Sequence, residues 1–116
     1  YLVNAVTEPE GMPAAVLLRA VEPIQGCHLM QQRRERTSSG EQDLCRGPGN
    51  LTRAFGVSLS HNRCDLTGNR LFITDWGFTR TTHWTPRIGV RVAARRRWRC
   101  LASDSPAVSR RVSPTR

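Results

Sequence analysis

The apolar run Ala14-Ala15-Val16-Leu17-Leu18-Arg19-Ala20-Val21-Glu22-Pro23 carries a single arginine in its middle. Its density of Val, Leu and Ala, closed by a proline that cannot donate to a ladder, predicts a strand buried on both faces. Alternation puts Arg19 on the face of Leu17 and Val21. A guanidinium cannot shed its charge to suit an apolar setting. Arg19 therefore either snorkels to solvent near the strand end or faces a wet cleft, an acid or a phosphate. Upstream, Tyr1-Leu2-Val3-Asn4-Ala5-Val6-Thr7 predicts a second strand. The prolines and glycine of Glu8-Pro9-Glu10-Gly11-Met12-Pro13 turn it back, giving an antiparallel hairpin.

Downstream, residues 27–36 predict a short helix with Cys27, Met30 and Leu29 inward and arginines near its C-terminal end, where the dipole favours them. Thr37-Ser38-Ser39-Gly40 breaks it. Gly47-Pro48-Gly49 predicts a tight turn into a second helix, with Asn50 or Gly49 as cap, Leu51, Ala54 and Phe55 on one face and Gly56 at its end. Residues 65–69 predict a loop, residues 71–74 a short strand, and residues 77–85 a polar, turn-like stretch. Residues 86–90 read as a strand start in which Gly89 admits close approach to the backbone. A last strand is predicted over residues 98–102. Periodicity stops at Ser103, and residues 110–116 read as a frayed tail.

With 116 residues the chain is one domain at most. Its 18 basic residues are all arginine, and against nine acids they give a formal charge of +9. Such a field favours polyanions, nucleic acid ahead of an anionic membrane surface. No stretch approaches eighteen apolar residues, which excludes a membrane-spanning helix. The absence of lysine excludes Schiff-base chemistry from this segment. Cys27, Cys45, Cys64 and Cys100 form no Cys-x-x-Cys pair. A basic chain with no visible secretory signal reads as intracellular with reduced thiols. Cys27-His28 and His61 with Cys64 lack the paired spacing of a zinc site, so neither metal nor cofactor is expected. Tyr1 opens the chain inside a strand, which reads as a fragment or processed piece.

Two basic features have two readings each. The start of the second helix, with Arg46 and Arg53 beside it, is either a phosphate seat or a capped surface helix with solvated arginines. Arg95-Arg96-Arg97-Trp98-Arg99 is either a solvated loop or, beside a polyanion site, a set of phosphate contacts.

Several blocks, in order, resemble one family. They are Asn4 with Thr7-Glu8-Pro9-Glu10-Gly11, Ala15-Val16-Leu17-Leu18-Arg19-Ala20 with Glu22-Pro23, and Leu44-Cys45 with Gly47-Pro48-Gly49 and Leu51-Thr52. Pro86-Arg87-Ile88-Gly89-Val90, then Trp98-Arg99 and Ser109-Arg110, complete the set. Together they are similar to the C-terminal half of the alkyladenine (3-methyladenine) DNA glycosylases of the Mpg type. The resemblance implies a mixed α/β fold with an antiparallel, partly rolled sheet and short outer helices, of which this chain holds about half. Residues 1–104 would be the C-terminal part of the glycosylase domain, and residues 105–116 an Arg/Ser-rich, disordered tail. It implies enzymes that bind double-stranded DNA carrying alkylated bases, flip the damaged purine and hydrolyse its glycosidic bond with a glutamate as general base. No membrane is involved, and the full-length protein is expected to be a monomer.

Carried across residue by residue, Arg19 matches the arginine that helps hold the nucleophilic water, and Val90 the position whose carbonyl also holds it. Asn4 matches the asparagine that meets the purine's minor-groove edge. Arg46, Asn50, Arg53, Arg95 and Arg96 are the expected DNA-contacting residues. The family's general base, pocket aromatics, histidine and intercalating tyrosine have no match here. Arg97 stands where proline is expected, Cys100 where phenylalanine is usual, Arg46 where serine is frequent and Asn50 where a phosphate-contacting lysine is common. The alternative reading is a non-catalytic, arginine-rich nucleic-acid-binding module, supported by the charge and by the missing acid–base residues. A small basic protein of a ribonucleoprotein fits less well, because such chains usually carry lysines.

Overall fold

The computed structural model describes residues 1–35 and 40–108. Strand β1, Val3–Val6, pairs antiparallel with β2, Ala15–Leu18, placing Val3 opposite Leu18 and Asn4 opposite Leu17. The Thr7 N–H donates to the Ala14 carbonyl at 3.2 Å, and the Met12 N–H closes the turn onto Pro9 at 3.1 Å. Gly11 takes the left-handed φ of 93° that the turn requires. Alternation along β1 turns Val3 toward the core and Asn4 and Val6 toward solvent.

Helix α1, Cys27–Arg34, ends at Glu35, whose left-handed backbone directs its N–H to the Gln31 and Gln32 carbonyls. Helix α2, Pro48–Phe55, begins after Gly47 with proline in its first turn, where a missing N–H costs nothing. It stops at Gly56, whose φ of 67° lets its N–H reach the Arg53 and Thr52 carbonyls. The core lies where these helices meet the hairpin: Met30, Leu44, Cys45, Leu51 and Ala54 are buried, with Val3, Leu18, Val21 and Cys27 packed against them. Burying each of the large side chains stabilises by about 1.5–3 kcal/mol.

Two arginines of α1 tie this layer together. Arg34 is buried and donates from Nη1 to the Asp43 and Leu44 carbonyls at 2.9 and 2.7 Å, while Arg33 donates to the Ala54 carbonyl at 3.0 Å. The chain after β2 stays attached through Val21 N–H to the Cys45 carbonyl at 3.3 Å and a bridge between Ala20 and Arg46. A second ribbon, β3 (Thr82–Thr85) against β4 (Arg99–Ala102), sets Trp84 opposite Cys100 and Thr85 opposite Arg99.

The mixed α/β class is observed, with the strands in two separate two-stranded ribbons. The hairpin, both helices and the strand near residue 100 lie where the pattern predicts them. The run at 14–23 is not a strand buried on both faces: β2 stops at Leu18, and Val16 is 54% exposed, none of the described residues covering its outer side. Alternation also breaks there, since Leu18 and Val21 both pack on the core. Leu29 points outward, α2 is entered through Gly47 and not capped by Asn50 or Gly49, and Phe55 is partly exposed. Residues 71–74 form no strand; the Ile73 N–H bonds the Leu66 carbonyl within a loop. The stretch at 77–85 contains β3, because residues distant in sequence supply its partner. Residues 86–90 turn instead of extending, since the Arg87 N–H is shared by the Ala94 and Arg96 carbonyls. Residues 37–39 of the expected breaker and the frayed tail at 110–116 lie outside the described residues.

Candidate functional site

A cleft of about 640 Å³ opens beside β1, between its outward residues and the segment from Val57 to Leu71. Asn4 sits on its β1 side with Leu2 and Val6 as neighbours, because strand alternation sends these three side chains away from the core. Across from them stand Leu59, His61, Asn62, Arg63 and Asp65. Their backbone is fixed by a capping box in which Ser58 accepts from Ser60 N–H at 3.3 Å while its own N–H donates to His61 Nδ1 at 3.2 Å. Asp65 accepts from the Thr67 hydroxyl at 2.6 Å and from the Thr67 N–H at 2.9 Å; these bonds, the hydroxyl first, hold its carboxyl below the usual range. A lining that mixes apolar side chains with amide, guanidinium and carboxylate groups suits a flat ligand with a polar edge.

Arg19 follows the last residue of β2 and is half-buried, two positions beyond Leu17, the residue opposite Asn4. Asn4 and Arg19 thus belong to one hairpin, although Arg19 does not line the cleft. Val90 lies at the surface in the turn after β3, next to Gly89 at φ 70°, and is likewise not among the cleft residues.

The expected phosphate seat at α2 is occupied from within. Arg46 pairs with Asp43 and donates to the Pro106 carbonyl at 2.6 Å, and Asn50 donates to the Arg46 carbonyl at 2.8 Å. A phosphate there has to displace a carboxylate already in place. Arg53 is exposed on the same helix, and Arg95 and Arg96 are exposed before β4.

Sequence reasoning missed Arg80. It joins Glu22 at 2.9 Å to Asp104 at 3.0 Å, and Glu22 also accepts the Ser105 hydroxyl at 2.7 Å. The Ser105 bond first, and Arg80 second, hold the Glu22 carboxyl below its usual range. It also missed Arg87, whose guanidinium lies 5.8 Å from the Trp98 ring, with that of Arg96 at 5.4 Å. Separations of 58 residues for Arg80 and Glu22, and a turn that had read as a strand, left no local signal for either. Among the described residues no group of three His, Cys, Asp or Glu side chains is placed to hold a metal.

A model of the methylpurine-DNA glycosylase (MPG) family matches residues 1–106. The chain is 41% identical over 112 residues to the “Putative 3-methyladenine DNA glycosylase” of Chlorobium luteolum, an alignment covering 95% of this chain and 56% of that protein. It is 43% identical over 113 residues to the protein of the same name from Chlorobium phaeobacteroides, covering 94% and 55%, and 44% over 102 residues to that of Rubrobacter xylanophilus, covering 86% and 52%. The chain spans about half the length of the curated relatives it matches.

Proposed function

Because the chain belongs to the methylpurine-DNA glycosylase family, we propose that it supplies one half of an enzyme that excises alkylated purines of the 3-methyladenine type from duplex DNA. The observation that carries this reading is the placement of Asn4: exposed at the cleft, directly opposite Leu17 and on the hairpin that leads into Arg19. A purine rotated out of the stack presents its minor-groove edge to Asn4, where guanine carries an amino group and adenine only hydrogen. The amide rejects guanine by overlap, so selectivity is partly a built-in clash. On the resemblance, Arg19 and the Val90 carbonyl, neither of which lines the Asn4 cleft in this half of the domain, are assigned to hold the water that attacks the sugar carbon, and the glycosidic electrons leave with the base.

The proton of that water needs a base. The glutamate that the resemblance implies for that role has no match in this sequence, so the base is assigned to the part of the domain by which the relatives exceed this chain. The same observation favours, for these 116 residues taken alone, a nucleic-acid-binding role without catalysis. With no lysine in the sequence, this half forms no imine with the sugar.

The test replaces the corresponding half of the Chlorobium luteolum relative with this chain and compares single-turnover excision of an adenine and a guanine lesion. Asn4→Ser is expected to leave the adenine lesion within about tenfold while raising the rate on the guanine lesion. An unchanged ratio makes Asn4 a structural residue.

A further inference from the structure

The loop from Arg87 to Arg96 is closed on itself. The Arg87 N–H bonds the Ala94 carbonyl at 3.1 Å and the Arg96 carbonyl at 3.2 Å, and the Arg87 guanidinium donates to the Val92 carbonyl at 3.1 Å. Gly89 and Ala93, both at positive φ, make the bends that allow this closure. Closure brings two guanidiniums, nine residues apart in sequence, to the same ring: Arg87 at 5.8 Å and Arg96 at 5.4 Å from the Trp98 centroid.

Trp98 is nevertheless 63% exposed, so the ring holds the arginines at the surface and not in a core. Two residues further on, Cys100 is exposed on the same side of the ribbon, and opposite it stands Trp84, 56% exposed, with its carbonyl held by Arg97 at 2.7 Å. Among the described residues, the ion pairs of Arg46 with Asp43 and of Arg80 with Glu22 and Asp104 involve other arginines. None of these loop residues lines the Asn4 cleft. Among the described residues the arrangement is a pair of cations outside these ion pairs, oriented by an aromatic platform on a chain of charge +9.

We propose that this ribbon face is a second DNA contact, in which Trp98 positions the Arg87 and Arg96 guanidiniums to take consecutive backbone phosphates. The inference rests on the reading above only for the choice of duplex DNA as the polyanion. Cation–π contact leaves the in-plane N–H groups of Arg96, and those of Arg87 that the Val92 carbonyl does not take, to donate to phosphate oxygens. Two arginines fixed in advance lose less side-chain freedom on binding than two solvated ones. Trp98 is a positioning residue; the arginines make the contact.

The experiment uses the 116-residue chain carrying Trp76→Phe and Trp84→Phe, so that Trp98 is its sole tryptophan, with undamaged fluorescein-labelled duplex DNA. Anisotropy of the label reports binding, and tryptophan emission reports this face. The expected result is a change in Trp98 emission that saturates with the anisotropy. Arg96→Ala is expected to make the log–log salt slope less steep by about 0.9. Trp98→Ala is expected to weaken binding by about fivefold, with Trp98→Phe restoring most of the loss. Binding with unchanged Trp98 emission and an unchanged slope overturns the inference and leaves the glycosylase reading intact. Absence of binding overturns the inference as well, and excision by the hybrid enzyme then decides the glycosylase reading by itself. A Trp98 response to anionic phosphatidylglycerol vesicles but not to DNA assigns the face to a membrane surface and also overturns it.

Discussion

Helix α2 offers opposite predictions at its two ends. Gly56 ends the helix at φ 67°, and a Cβ there would come within 3.0 Å of the Arg33 guanidinium carbon. In Gly56→Ala the left-handed backbone costs about 1–2 kcal/mol for an L-residue. The methyl also pushes the guanidinium off the Ala54 carbonyl it now bonds at 3.0 Å, a loss of about 0.5–1.5 kcal/mol. The stiffer unfolded chain returns about 0.4–1 kcal/mol, leaving a net destabilisation of about 1–2.5 kcal/mol. Gly49, in the first turn of the same helix, has open space where an added methyl would stand, with no atom within 4 Å. Gly49→Ala therefore stabilises by about 0.5–1 kcal/mol. In a domain of this size each kcal/mol moves Tm by about 4–8 °C. Circular dichroism melts of the isolated chain should show Gly56→Ala lowered by about 5–15 °C and Gly49→Ala raised by a few degrees. A Gly56→Ala protein as stable as its parent would refute the cap geometry and the Arg33 contact together.

Three further outcomes are expected. Arg34→Met removes the donor shared by the Asp43 and Leu44 carbonyls and should cost about 2–3 kcal/mol in urea unfolding; a loss under about 0.5 kcal/mol would mean that burying the charge already offset those bonds. Glu22 titrates lower in the folded than in the unfolded chain, so its contribution is present above about pH 4.3 and fades as pH falls toward the folded value. Being partly exposed, it contributes under about 1 kcal/mol, and Glu22→Gln should flatten that part of the stability profile; a profile identical to the parent's would remove the Ser105 and Arg80 bonds from the account. The isolated chain should bind duplex DNA weakly with a log–log salt slope of about −4 to −5, as for four to six phosphate contacts, and a slope near zero would remove the nucleic-acid reading.

The parts of the fold that were legible are those written locally. The Pro-Glu-Gly-Met-Pro turn and its flanking alternation specify the β1–β2 hairpin, and Gly47-Pro48 with Gly56 bracket α2. What was not legible depends on partners distant in sequence. Thr82–Thr85 becomes a strand because Arg99–Ala102 lies beside it, and residues 86–90 turn because Arg87 finds two carbonyls in its own loop. Asn4 and Arg19 were visible as positions on one hairpin, of which Asn4 lines the cleft and Arg19 does not. The internal use of Arg46 and Asn50 was not, since it requires Asp43, Pro106 and the folded turn between them. The charge of Arg19 was legible as a problem for a buried strand, and β2 resolves it by stopping one residue earlier.

The central claim is tested most directly by excision. The hybrid enzyme, in which this chain supplies its half of the Chlorobium luteolum domain, is mixed in excess with duplex DNA holding one alkylated adenine, and release of the free base is followed in a single turnover. The account predicts release by the hybrid, none by the 116-residue chain alone, and a loss of at least about a hundredfold in the Arg19→Ala hybrid. A folded hybrid that binds the duplex yet releases no base, or an Arg19→Ala hybrid as fast as its parent, would contradict it.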